Sequence, residues 1–332
     1  MANGIVVGLN YTYNGKETLD VFVIPGVKYP VMTELFTILP GIKSKMQLGM
    51  TNQMAQITKA DDLSCGRTET GTGVTIFNRT LEVPPLKIFL KQCGDAFKST
   101  IYEEWLKAGN DVNDIMGTDA AKLLNALVAE AAGRDAFNIA SFGDTDSIDD
   151  DLNQLDGLWK GLNDGVIAGD VLETPDFNST LAADEALNKL TAMYTLAPAT
   201  LDQISESEKK FYVTRSVYDS LVASYESRST GSDLQVGYLT DGIPVVRLRG
   251  IEVVKISQWD SAIVTFSLSA PHRALYTTKE NHVLGIEKAG DETKAATWYS
   301  QDDDVVKTSV KYRMGYQYRT EGYSVIAQAP IV

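Results

Sequence analysis

Apolar and polar positions change rhythm several times along this chain, and the longest sustained rhythm runs from Thr118 to Phe142. Ala120, Leu123, Leu124, Leu127, Val128 and Ala131 recur at the three- and four-residue spacing of one helix face. Thr118-Asp119 supplies a capping pair at the N-terminus. Arg134 and Asp135 interrupt the stripe, Phe142 rejoins it, and Gly143 followed by aspartates ends it. The spacing predicts a helix about 35 Å long. With one apolar and one polar face, it is made to lie across a sheet or another helix.

Shorter stretches punctuated by breakers surround this rod. Thr18 to Ile24 reads as a strand stopped by Pro25-Gly26, and Pro30 and Pro40-Gly41 follow. Residues 1–44 therefore read as an extended arm that needs something to lie on. Residues 46–57 and 74–83 have strand character and flank a polar, glycine-bearing stretch from Thr58 to Gly73. That pattern predicts a long two-stranded loop over 45–85, closed by the stiff joint Pro84-Pro85. A helix is expected over Gly94 to Lys107, and a short apolar segment broken by glycines over Leu155 to Leu162. Further on, Ala182 to Tyr194 and Arg215 to Ser227 read as helices. Lys209 to Thr214, Ile243 to Leu248, Ile251 to Ile256, Ala262 to Leu268 and Ala274 to Thr277 read as strands. From Val305 to Val325 the pattern is strand-rich, with Val310, Tyr312, Met314 and Tyr316 alternating with Lys311, Arg313 and Gln317. Strands and helices mix without regular β–α alternation, so the class is α+β.

Composition adds limits rather than a function. The chain has 332 residues, 44% of them hydrophobic, enough for a sizeable core and two domains. No apolar run is long enough to span a membrane, and the N-terminus lacks the pattern of a signal peptide. Lys and Arg number 30 against 44 Asp and Glu, a net charge of −14. Such a surface repels nucleic-acid phosphates at long range. It argues against a sequence-reading DNA-binding domain but suits a wall beside DNA. Cys65 and Cys93 are too few for a disulfide framework or a thiolate zinc site.

Candidate chemistry is thin. His272 and His282 do not match helical zinc spacing and read as packing histidines. No nucleophile elbow and no phosphate-binding lysine loop is present. The run Asp144, Asp146, Asp149, Asp150, Asp151 starts like a calcium loop. Ile148, Asp149 and Leu155 then occupy positions where such a loop needs a ligand, a glycine and a glutamate, so it reads as a solvated acidic loop. No catalytic, cofactor-binding or metal-ligating residue is assigned. A hydrolase using an Asp/Glu pair with Trp159 or Trp259 as a sugar platform is the enzyme alternative that survives.

The order of parts carries a resemblance. Asp119 to Gly143 looks like a spine helix, and Gln154 to Gly161 like the segment after it. Ala186 to Pro198 with Lys210 to Leu221 looks like the opening of an axial domain. Tyr238 to Val254, with Gly242-Ile-Pro-Val-Val, looks like its glycine-x-proline-valine strand. Val310 to Arg319 and Tyr323 to Ala327 look like closing peripheral strands. Together they resemble the major capsid protein of tailed bacteriophages, the Hong Kong 97-like fold. The resemblance implies an N-terminal arm (1–44), an extended hairpin loop (45–85) and a peripheral domain (86–174) with its spine helix at 118–142. It further implies an axial α+β domain (175–275) and return strands of the peripheral domain (276–332). The chain runs from Met1 straight into the arm, which implies a separate scaffolding protein or a leader outside this sequence.

The function implied is a head protein that assembles in host cytoplasm into hexamers and pentamers of an icosahedral virion shell. Its expected partners are itself, portal, scaffolding and decoration proteins, and packaged DNA nearby without sequence-specific binding. An encapsulin-type compartment shares the fold and is the first alternative. Contacts between copies are expected at Met46, Leu48, Met50 and Met54, adaptable apolar side chains that a free monomer would leave uncovered. Lys59, Arg67 and Glu69 near the hairpin tip are expected to add rim ion pairs.

Overall fold

The computed structural model describes residues 32–51, 76–93, 119–227, 235–238, 244–287, 294–303 and 305–328. The expected strand at 18–24, the hairpin tip, the helix at 94–107 and most of the loop at 226–233 lie outside these residues.

The order begins with one helical turn, α1 (Met32–Leu35), and a short strand, β1 (Thr37–Leu39). β2 (Lys45–Thr51) and β3 (Ile76–Glu82) pair with each other, and β4 (Pro85–Gln92) follows. Next come the long helix α2 (Asp119–Phe142), then α3 (Leu158–Ala168) and β5 (Leu172–Glu173). α4 (Glu185–Leu196), α5 (Ala199–Asp202), β6 (Lys209–Val213) and α6 (Arg215–Ser227) precede β7 (Gln235–Tyr238), β8 (Pro244–Leu248), β9 (Ile251–Lys255) and α7 (Ser257–Thr265). β10 (Arg273–Thr278), β11 (His282–Ile286), β12 (Lys294–Ser300), β13 (Val305–Tyr318) and β14 (Ser324–Gln328) close the order.

Two larger sheets organise these elements. Seven strands form one, in the order β5-β14-β10-β6-β9-β8-β7. The other is built on β13, which pairs antiparallel with β4 and β12 along its first part and with β11 along its last residues. β1 adds to β11 in parallel. Strand alternation splits the seven-stranded sheet into two apolar faces. Tyr212, Leu275 and Ile326 point into a core shared with α2, α3, α7 and β13. Phe211, Val213, Ala274, Tyr276, Val325 and Ala327 point the other way, under α4 and α6.

Arg273 ties the long helix to this sheet. Its buried guanidinium donates to the carbonyls of Ala270 and Ser269 at 2.9 and 2.8 Å. It also lies over the rings of Phe142 and Trp159 at 5.1 and 5.0 Å. Burial pushes its pKa down to about 10. The helix ends where backbone must touch backbone: the Gly157 amide donates to the Gly143 carbonyl at 2.8 Å. A Cβ on Gly143 would come within 2.3 Å of the Leu155 carbonyl oxygen, so only glycine fits.

Several sequence expectations need correction. Ala262 to Leu268 is not a strand; α7 covers most of it, with Trp259, Ala262 and Ile263 buried at helical spacing. The strands from residue 276 onward divide between the two larger sheets. β14 pairs with β10 in the seven-stranded sheet, while β11 to β13 belong to the other. On α2, Val128, Phe137, Ile139, Ala140 and Phe142 are buried, but Leu127 is 40% exposed. The periodicity of the first half therefore does not set the buried face of the whole rod.

Candidate assembly interface

The root of the hairpin is a two-stranded sheet of its own. β2 and β3 pair from Lys45 opposite Glu82 to Thr51 opposite Ile76. Met46 stands 43% exposed. Leu48 does not: it is 4% exposed and packs with Ile42, Leu81, Val83 and Val283 of its own chain. The expectation that Leu48 is left uncovered is therefore corrected, because the root lies over β11 and buries the inward residue of its strand. The backbone of Met50 belongs to β2. Met54, Lys59, Arg67 and Glu69 lie outside the described residues.

A polar clamp fixes the root to the body. Arg79, on β3, ion-pairs with Asp170 and lies 3.2 Å from Glu321. Its guanidinium covers the Tyr318 ring at 4.1 Å, and the Tyr318 hydroxyl donates to Asp170 at 3.0 Å. Burial pulls the Arg79 pKa down, but the Asp170 partnership outweighs it and the net shift is upward. Burial also pushes the Tyr318 phenol up to about 12, so it stays a neutral donor. Lys45 pairs with Glu82, and Gln317 donates to the Thr80 carbonyl at 3.3 Å. Where the chain leaves β3 it crosses β13 so closely that a Cβ on Gly315 would lie 1.7 Å from the Glu82 carbonyl oxygen.

A groove of about 530 Å³ opens beside this root, lined among others by Pro84, Pro85, Asp156, Arg313, Tyr316 and Gln317. The acidic loop forms one bank. Lys160 holds it in shape, 2.9 Å from Asp146, 3.4 Å from Asp164 and 3.8 Å from Asp144, and its pKa is raised chiefly by the Asp146 hydrogen bond. Among the described residues no group of three His, Cys, Asp or Glu is placed to hold a metal ion.

The remaining chemical candidates are structural. His282 is fully buried, with Nδ1 2.8 Å from the Tyr316 hydroxyl and Nε2 3.1 Å from Thr277 Oγ1. Burial pushes its pKa down to about 3, so it is neutral. His272 bridges Ser216 and the Ser179 carbonyl at 2.8 and 3.2 Å. Trp159 and Trp259 pack edge-to-face at 5.2 Å and are 2% and 0% exposed. The sugar platform of the hydrolase alternative is thereby overturned: both rings are core, and the Trp259 indole donates inward to Ser141.

No protein-family model and no curated protein matches the sequence. Solved structures do match over nearly the whole chain. The capsid of a native GTA particle aligns with 89% of this chain and 88% of its own, at TM-score 0.56 and 12% identity. A subunit of the satellite phage P4 procapsid aligns with 90% and 94%, at 0.54 and 10% identity. The holo-SrpI encapsulin complex of Synechococcus elongatus aligns with 98% and 94%, at 0.53 and 9% identity. The chain has the Hong Kong 97-like capsid fold.

Within this capsid fold, sequence reasoning located the hairpin but not its clamp. Arg79 is the basic residue of β3, yet its partners lie 91 and 242 positions away. No local pattern marks a pairing over such separations. The exposed rings of Phe89 and Trp298, on β4 and β12, were likewise missed; the alternation of Leu86, Ile88 and Leu90 with Lys87, Phe89 and Lys91 was the available signal.

Proposed function

We propose that this chain is the major capsid protein of a tailed double-stranded DNA phage. Copies assemble into hexamers and pentamers of a closed icosahedral shell around the genome, in the cytoplasm of the host. The observation that carries this reading is the alignment of some nine-tenths of the chain with shell subunits of phages and phage-like particles. The clamp that bolts the β2–β3 root to the body supports the same reading, since a segment anchored firmly at its base is suited to engaging a neighbour. Scaffolding, portal and decoration proteins are the further partners this role assigns. DNA lies beside the shell without sequence reading, as the net charge of −14 favours.

Electron microscopy of the expressed protein tests the proposal. Closed shells are the expected result; a species that elutes as a monomer and never forms particles overturns it. The encapsulin-type compartment stands as a second reading, because the encapsulin aligns with 98% of this chain. The contents of purified particles separate the two: a genome fits the first reading, an enzyme cargo the second.

A further inference from the structure

The exposed face of the β4–β13–β12 sheet is basic in a chain that is strongly acidic overall. Residues directly opposite one another in a ladder share a face. The register sets Lys87 opposite Lys311, Phe89 opposite Ser309, Lys91 opposite Lys307, and Lys307 opposite Trp298. The exposed rings of Phe89 and Trp298 lie 6.3 Å apart across this face. Like charges directly opposite destabilise a sheet. For Lys91 and Lys307 the cost is relieved by Asp303, which pairs with both. Lys87 and Lys311 make no ion pair among the described residues. A site with two facing ammonium groups beside a half-exposed aromatic pair wants an anionic partner carrying an apolar side chain.

The chain itself presents that surface. Asp150 and Asp151 stand exposed on the acidic loop, and Ile148 beside them is 102% exposed. The loop is preformed. Thr145 donates to Asp156 at 3.0 and 2.7 Å, Asp151 to Asp149 at 3.0 Å, and Lys160 holds Asp146. An isoleucine held out by a fixed loop gains nothing in water.

We infer that the acidic loop of one copy docks on the basic sheet face of the next, with Asp150 and Asp151 at Lys87 and Lys311 and Ile148 on the Phe89–Trp298 pair. Charge complementarity selects a second copy as the occupant. Made head to tail, as the shell reading requires, this contact between two different patches propagates around a ring. The inference deepens the shell reading and rests on it.

The test is a charge swap read by sedimentation of the full chain. Lys87→Glu with Lys311→Glu should leave the fold intact by circular dichroism but weaken self-association about tenfold or more. Asp150→Lys with Asp151→Lys should do the same. All four changes in one chain should restore association, and the wild-type contact should weaken in about 0.5 M salt. The proposal is overturned if either pair leaves association unchanged, or if the fourfold variant stays as weak as the pairs. It is also overturned if the lysine variant assembles normally but loses packaged DNA, since the face would then serve nucleic acid. Electron microscopy of the same samples keeps the two readings apart. Wild-type oligomers that show the swap behaviour but never close into shells count against the shell reading and for this contact.

Discussion

A histidine sealed from water makes the subunit sensitive to acid. In the unfolded chain His282 takes up a proton near the ordinary histidine value of about 6.5, whereas burial in the folded chain holds it off until about 3. Between those values the unfolded state binds more protons, so stability is complete above 6.5 and is lost as pH falls below it. The slope is about 1.4 kcal/mol per pH unit. We expect urea unfolding of the subunit at pH 7, 6 and 5 to show this decline, and His282→Gln to flatten it. An unchanged slope in that variant would assign the acid sensitivity elsewhere. Gly315 is the second residue with a sharp prediction. Gly315→Ala places a methyl against the Glu82 carbonyl oxygen, where neither backbone can move without breaking a ladder. It should cost about 3 kcal/mol in unfolding free energy.

Among the elements, the root of the hairpin depends on Arg79. Arg79→Ala leaves Asp170 half-buried without its cation and uncovers the Tyr318 ring. The expected loss is about 1–3 kcal/mol. Hydrogen exchange should locate it, with β2 and β3 amides losing protection while those of β6 and β10 keep theirs. What the sequence made legible at this scale follows from where each element takes its stability. α6 is readable because Val217 and Leu221 repeat one face, and β13 because Tyr312, Met314 and Tyr316 alternate with charged or polar neighbours. α7 misleads because Ala262-Ile-Val-Thr-Phe266 is rich in strand-formers, whereas Trp259, Ala262 and Ile263 are buried together at helical spacing. β4 hides behind Pro84-Pro85, which looks like a stop. A proline is tolerated as the first residue of a strand, and Pro85 takes that place. The clamp stays hidden since it is assembled from three distant segments.

Across the whole molecule, two cores share one seven-stranded sheet, so the subunit should fold as a unit without its hairpin tip. Deleting Lys59 to Gly73 and joining the ends with a short turn is expected to leave thermal unfolding within a few degrees of the parent. Shell formation should be abolished. Normal particles in electron micrographs of that variant would remove the tip from assembly. The capsid fold itself was legible from the order of parts, because long helix, glycine joint and closing strands each have a local pattern. The pairing of the closing strands was not, since the chain enters both sheets within a few residues of Thr320.

Arg79, Asp170, Tyr318 and Glu321 bolt β2 and β3, the root of the hairpin, to the body. A sideways load carried into this root cannot be absorbed by a swivel there. It passes as a bending moment into β13, whose first half is the basic strip and whose last half lies over the buried His282. Whatever tugs on these two strands is therefore felt at the middle of the subunit.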